Sequence, residues 1–124
     1  MIGPVPVSEL HVQRRFRLTR SEDFERARRS GRSYASRIVV VVVRENGDDR
    51  VRIGVAAGRT VGNAVKRNRA KRLLRAAMQG LLSRLRMGWD VVLIARPPIS
   101  SAGSDEVREV LTNLLGRAGL LANS

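Results

Sequence analysis

The stretch Val61–Arg75, VGNAVKRNRAKRLLR, leaves little freedom in what this chain can become. Val61, Ala64, Val65, Leu73, Leu74, Ala77 and Met78 recur at helical spacing, which predicts a helix from Val61 to about Gln79 with those residues on its packing side. Lys66, Arg67, Arg69, Lys71, Arg72 and Arg75 fill much of the rest, with Asn63 and Asn68 among them as neutral hydrogen-bonding groups. Like charges this dense repel along a helix. Such a helix must dock one side on a core and offer the other to a strong polyanion, for which nucleic-acid phosphate is the first candidate.

The composition narrows the classes further. A length of 124 residues suits one domain, and 43% hydrophobic content is ordinary for a globular chain, which argues against disorder. A formal net charge of +13 points to nucleic acid before anionic membrane. The bases are nearly all arginine, whose planar fork pairs with phosphate and stacks on nucleobases, so RNA suits it. Without cysteine there is no disulfide framework and no thiolate metal site, and the single His11 builds neither a metal site nor a nucleophile–His pair. Glu22 and Asp23 read as helix-start acids, and Glu45, Asp48 and Asp49 as a solvated turn, so no metal-binding carboxylate set is expected. No apolar run reaches the ~18 residues of a membrane span. Met1–Leu10 lacks a charged-then-apolar signal pattern, and a cytoplasmic protein is expected.

Taken in order, residues 1–13 read as a loose arm. The basic stretch His11–Arg20 is either a solvated lead-in pinned by Phe16 and Leu18 or an arm that touches nucleic acid. Ser21 caps a short helix, Glu22–Ser30, stopped by Gly31; judged alone, its Phe24 reads as a core residue. Ser33–Arg44 is valine-rich and predicts one strand, with Tyr34, Ser36, Ile38, Val40 and Val42 on one face. Asn46-Gly47 signals a hairpin into a returning strand, Arg50–Ala57. Thr60 is the expected N-cap of the basic helix, and the free amides there, beside Arg59, are a candidate phosphate site. Gly80 weakens that helix before Leu81–Leu85 continues its apolar side. Asp90–Ala95, DVVLIA, predicts a buried central strand, and Ser104 caps a last helix with Val107, Val110, Leu111, Leu114 and Leu115 on its packing face. Residues 120–124 are expected to fray. The order predicts an α+β fold: a mixed central sheet with helices packed on it, the basic helix crossing between two strands.

These residues resemble the bacterial ribonuclease P protein component. The resemblance rests on RIGVAAGRTVGNAVKRNRAKRLLR, on DVVLIAR downstream and on SEDFERARRSGR upstream, and it spans roughly Arg14 to Leu115. Arg67-Asn68-Arg69, with Lys71, Arg72 and Arg75, matches the family's arginine-rich RNR motif. The resemblance implies a compact α/β sandwich like one domain of a ribosomal protein, with a left-handed crossover against the usual rule. It implies a protein, monomeric when free and away from membranes, that assembles with a large catalytic RNA to cut the 5′ leader from precursor tRNA. Magnesium would be held mainly by that RNA, and the protein would bind no cofactor and supply no catalytic group.

Two surfaces follow from the resemblance. Asn63, Lys66, Arg67, Asn68, Arg69, Lys71, Arg72 and Arg75 would face the catalytic RNA. Arg17, Phe24, Arg28, Tyr34, Ser36, Arg37 and Val42 would line a leader cleft between the first helix and the sheet, where a single strand stacks in a positive groove. Phe24 thereby moves from core to cleft. The chain departs from the family where a second cleft aromatic is common and Arg28 stands instead, and where Val39 and Val42 replace strand aromatics. Arg28 either stacks through its guanidinium plane or leaves the leader grip weaker. Gly58-Arg59-Thr60 replaces a more basic turn, which weakens the phosphate reading there, and Met78 replaces a frequent Phe in the core. Two other classes remain: a ribosomal-type structural RNA-binding protein, and a DNA-binding regulator, which lacks the second helix that a helix-turn-helix requires.

Overall fold

A computed structural model of the chain describes residues 29–47 and 49–122. The expected arm, the basic lead-in, the start of the first helix, and with them Arg17, Phe24 and Arg28, lie outside the described residues. The elements are β1 (Arg32–Ala35), β2 (Val39–Glu45), β3 (Arg52–Ala56), α1 (Ala64–Gln79), β4 (Trp89–Ala95) and α2 (Ser104–Arg117). The strands form one four-stranded sheet in the order β1-β2-β4-β3. β2 runs antiparallel to β1 and β4, whereas β3 and β4 are parallel and joined through α1. This is the α+β arrangement expected, with the basic helix as the crossover and DVVLIA at the centre.

The pairing departs from expectation in two places. Ser33–Arg44 is two strands, because the chain turns between Ala35 and Val40, which face one another. Ser36 makes that turn. Its hydroxyl accepts from the amides of Ile38 and Val39 and donates to the Val39 carbonyl at 2.9 Å. The second departure is that β2 and β3 form no hairpin, since β4 lies between them. Val91, Val92 and Leu93 are fully buried, so β4 is apolar on both faces and takes the central place with a neighbour on each side. Asn46 and Arg50 instead bracket Gly88 ahead of β4, through Asn46 N to Gly88 O at 2.9 Å and Gly88 N to Arg50 O at 3.0 Å.

Both long helices pack on one sheet face. Val39, Val41, Val43, Ile53, Val91 and Leu93 meet Leu74 and Met78 of α1 and Val107, Leu111 and Leu115 of α2 in a single core. Val42, Val92, Val40 and Ile94 form a separate cluster on the opposite face. The packing stripe of α1 is Ala70, Leu74, Ala77 and Met78. Ala64 and Val65, expected on that stripe, are exposed: they lie in the first turn of the helix, and 3.6 residues per turn set Val65 on the side opposite Leu74.

The ends of the helices correct three further expectations. Asn63, not Thr60, caps α1, and Thr60 lies in a 3-10 turn, Arg59–Val61, whose Val61 is buried. Gly103 is the N-cap of α2, so Ser104 is its first helical residue, while Asp105 and Glu106 occupy the first turn as expected. Residues 120–122 are held rather than frayed. Gly119, at φ +76°, donates to the Gly116 carbonyl and Leu120 to the Leu115 carbonyl, a Schellman closure that buries Leu120. Leu121 then bridges to Leu85, and the Ala122 amide donates to the Arg84 carbonyl at 2.7 Å. No helix among the described residues is long and apolar enough to cross a membrane.

Candidate nucleic-acid interface

The cationic helix is anchored at its start by neutral groups. The Asn63 side-chain oxygen accepts the Lys66 amide at 3.0 Å, satisfying one of the helix's free donors. Gly62 precedes it at φ +143°, and the Lys66 stem lies so close that a Cβ at Gly62 would sit 2.6 Å from Lys66 Cδ. The first turn of α1 has no acid to complement its dipole, so its positive field adds to that of the side chains.

The cations of this helix do not all serve alike. The Arg67 guanidinium donates back to the Gly62 carbonyl at 3.2 Å. Arg69 reaches across to the segment after β4 and donates to the Ser100 and Ala102 carbonyls at 3.4 and 3.0 Å. Both are half-buried and hold backbone in place. Lys66, Asn68 and Arg72 are exposed, and Lys71 and Arg75 are half-buried. Arg59 is exposed on the 3-10 turn before the helix, which packs on Pro97–Ser101.

The residues selected for a leader cleft do not share one surface. Val42 lies with Val92 on the face away from α1 and α2. Register sets Gly54 beside Val92, Ala56 beside Ile94, and Ser33 beside Val42, so that face has an apolar floor with small margins. Tyr34 faces the other way: it pairs with Val41, packs against the main core, and lies 6.0 Å beneath the Arg117 guanidinium. The turn at Ser36 breaks the alternation that had placed Tyr34 and Val42 together. Arg37, beyond that turn, is exposed and pairs with Glu106 at 3.2 Å.

The sequence reading missed a charged row at one end of the Val42 face, where register aligns Arg44, Asp90 and Arg52. Asp90 is 1% exposed. Arg52 grips it bidentately, Nε to Oδ1 at 2.8 Å and a terminal nitrogen to Oδ2 at 2.9 Å. Asn46 Nδ2 donates to the same Asp90 oxygen and to the Arg50 carbonyl, each at 3.0 Å. Arg44 donates to the Ser30 hydroxyl at 2.8 Å. A lone carboxylate heading the apolar run DVVLIA was the available signal, since a buried charge demands a partner. Among the described residues no group of His, Cys, Asp and Glu is placed to hold a metal ion.

A small α+β domain whose crossover helix carries bare cations to solvent falls in the class of basic nucleic-acid-binding proteins. The ribonuclease P family model matches residues 12–119. A ribonuclease P protein component from Oceanobacillus iheyensis is 36% identical over 114 residues, covering 91% of this chain and 94% of that protein. The RNase P protein of Staphylococcus aureus superposes with a TM-score of 0.78 at 30% identity, over 86% of this chain and 97% of that one. The RNase P protein of Thermotoga maritima gives 0.74 at 34% identity, over 82% and 96%. The chain belongs to the ribonuclease P protein family.

Proposed function

We propose that this chain is the protein subunit of a ribonucleoprotein endoribonuclease, ribonuclease P, which removes the 5′ leader from precursor tRNA in the cytoplasm. The observation that carries this reading is the helix α1 of a ribonuclease P family domain, docked by its apolar stripe and presenting Lys66, Asn68, Lys71 and Arg72 outward. In this reading the outward cations neutralise phosphates of the catalytic RNA, releasing its counterions, so affinity falls steeply with salt. Arg67 and Arg69 act behind them, holding the turn at Gly62 and the 100–102 segment so that the outward groups keep their spacing.

The leader of the precursor lies along the second sheet face. The half-buried Val40 and Ile94 offer it apolar contact, and Arg44 stands at one end as positive charge for the backbone. Phe24, Arg28 and Arg17 remain candidates for the same cleft, and Arg59 for a phosphate. Magnesium is held by the catalytic RNA, which performs the hydrolysis. The protein raises substrate and metal affinity, chiefly by screening phosphate repulsion and by holding the leader in place. It is a monomer when free.

Reconstitution tests this. The protein is mixed with a bacterial ribonuclease P RNA at limiting magnesium, and cleavage of a precursor tRNA carrying a 5′ leader is followed. A large rate gain that is lost in a Lys71→Ala/Arg72→Ala variant is expected. No gain with any such RNA would refute the subunit reading and leave a ribosomal-type RNA-binding protein.

A further inference from the structure

The two aromatic side chains among the described residues, Tyr34 and Trp89, stand on the same side of the sheet, and each lies under an arginine. The Arg32 guanidinium is 5.8 Å above the Trp89 ring, and that of Arg117 is 6.0 Å above the Tyr34 ring. Both rings are half-buried against the main core, and both arginines are exposed. Neither arginine pairs with a carboxylate among the described residues. These pairs are loose, since about 6 Å is the outer limit of a cation–π contact, so the fold gains little from them and small movements of the long arginines uncover each ring.

Register places Arg32 between the rings. Arg32 and Tyr34 share the helix-side face of β1, two residues apart, whereas Trp89 lies two strands away, opposite Glu45 of β2. The row reads Trp89, Arg32, Tyr34, Arg117, aromatic and cation in alternation. The backbone positions of its two aromatics are roughly 16 Å apart, counted as two strand spacings and four residues of rise. The exposed Glu45 closes the row at the Trp89 end, because it repels phosphate. The row belongs to neither surface described above. α2 packs over β1 and β2 whereas α1 packs over β3 and β4, so the row lies on the α2 side, and the Val42 cluster is on the opposite face of the sheet.

Rings interleaved with guanidinium groups are the chemistry that holds unpaired nucleobases. Bases stack on the rings and on the guanidinium planes, and the positive charge meets the strand's phosphates. We infer that the row Trp89–Arg32–Tyr34–Arg117 is a second single-strand site, which holds a short run of unpaired RNA nucleotides with bases stacked on its two rings and capped by its two arginines. This goes beyond the roles proposed for α1 and for the leader face and depends on neither.

Trp89 is the single tryptophan of the chain, so its emission reports on this site directly. Full-length protein is titrated with a short oligoadenylate at fixed salt. Saturable quenching of Trp89 emission is expected. Arg32→Gln and Arg117→Gln should each bind about fivefold more weakly, while melting as wild type does. Arg108→Gln, which removes an exposed charge from the first half of α2, is the control for lost charge and should bind as wild type does. Inorganic polyphosphate, which carries charge but no bases, should not quench. Absence of quenching by oligoadenylate, equal quenching by polyphosphate, or unchanged affinity in either Arg32→Gln or Arg117→Gln overturns the inference. Each of these results leaves the proposed function standing, because reconstitution of cleavage tests that separately.

Discussion

Replacing Asp90 with asparagine should cost this domain a large part of its stability. Asp90 is the charged residue that is buried among those described, and its two oxygens take a bidentate grip from Arg52 and a further bond from Asn46. Asparagine keeps the shape but turns one acceptor into a donor facing the guanidinium. Arg52 is then left with an uncompensated charge in a confined place. Breaking a buried ion pair from one side costs about 3–5 kcal/mol. The Arg52 side chain is 29% exposed, so water recovers part of the loss and the lower end, about 3 kcal/mol, is expected. Stabilities of such domains run to about 5–15 kcal/mol. With about 4 °C of melting temperature per kcal/mol, the variant should melt about 12 °C lower. Circular dichroism at fixed salt in a phosphate-free buffer measures it. A companion Arg52→Met/Asp90→Leu variant removes both charges and should recover most of the loss. An Asp90→Asn melt within about 2 °C of wild type, or a double variant no better than the single, would refute the claim that this pair holds β3 to β4.

Asn63→Ala should destabilise the protein by about 1 kcal/mol through loss of the cap on α1, and Asn63→Asp should not; urea unfolding compares them. Gly62→Ala forces a side chain into φ +143° and onto the Lys66 stem, and a loss of about 1–3 kcal/mol is expected by the same method. Arg69→Ala should speed amide exchange at Ile99 and Ala102, which the Arg69 clamp steadies, whereas Arg72→Ala should leave exchange unchanged and lower the salt slope of RNA binding by about 1. With a formal net charge of +13, sulfate should raise the melting temperature by screening self-repulsion, and a melting curve indifferent to sulfate would contradict that.

What the sequence disclosed was whatever depends on periodicity within one element. The later half of the α1 stripe, Leu74, Ala77 and Met78, the packing face of α2 and the buried character of DVVLIA appear as expected, because burial of a helix stripe or a strand is written locally. Strand partnership is not local. Asn46-Gly47 looks like a hairpin whichever strand lies beside β2, and nothing within residues 33–57 reports that the strand Trp89–Ala95 competes better; that follows from β4 being apolar on both faces. The break at Ser36 was hidden because Tyr34, Ser36 and Ile38 keep period two across it. Only the hydroxyl's ability to turn the backbone back distinguished Ser36 from a strand residue. At the start of α1, Thr60 was the expected cap and Asn63 takes that place, because Gly62 at φ +143° ends the 3-10 turn and lets the helix begin afresh after it.

The arginines explain how so basic a chain folds while keeping a face free for RNA. Arg52 neutralises the buried carboxylate, Arg67, Arg69 and Arg96 give their forks to backbone carbonyls at Gly62, Ala102 and Ser36, and Arg37 pairs with Glu106. Arg67, Arg69 and Arg96 therefore use charge to fix a turn or a loop, which lysine's single ammonium does less well. Both lysines, Lys66 and Lys71, stand on the helix that is proposed to meet RNA. The RNR motif thus divides by position: its arginines at 67 and 69 hold the turn at Gly62 and the 100–102 segment, and its central Asn68 is exposed. Substituting the two arginines together would weaken RNA binding through displaced backbone as well as lost charge. Lys71 and Arg72 are accordingly the cleaner probes of the interface itself.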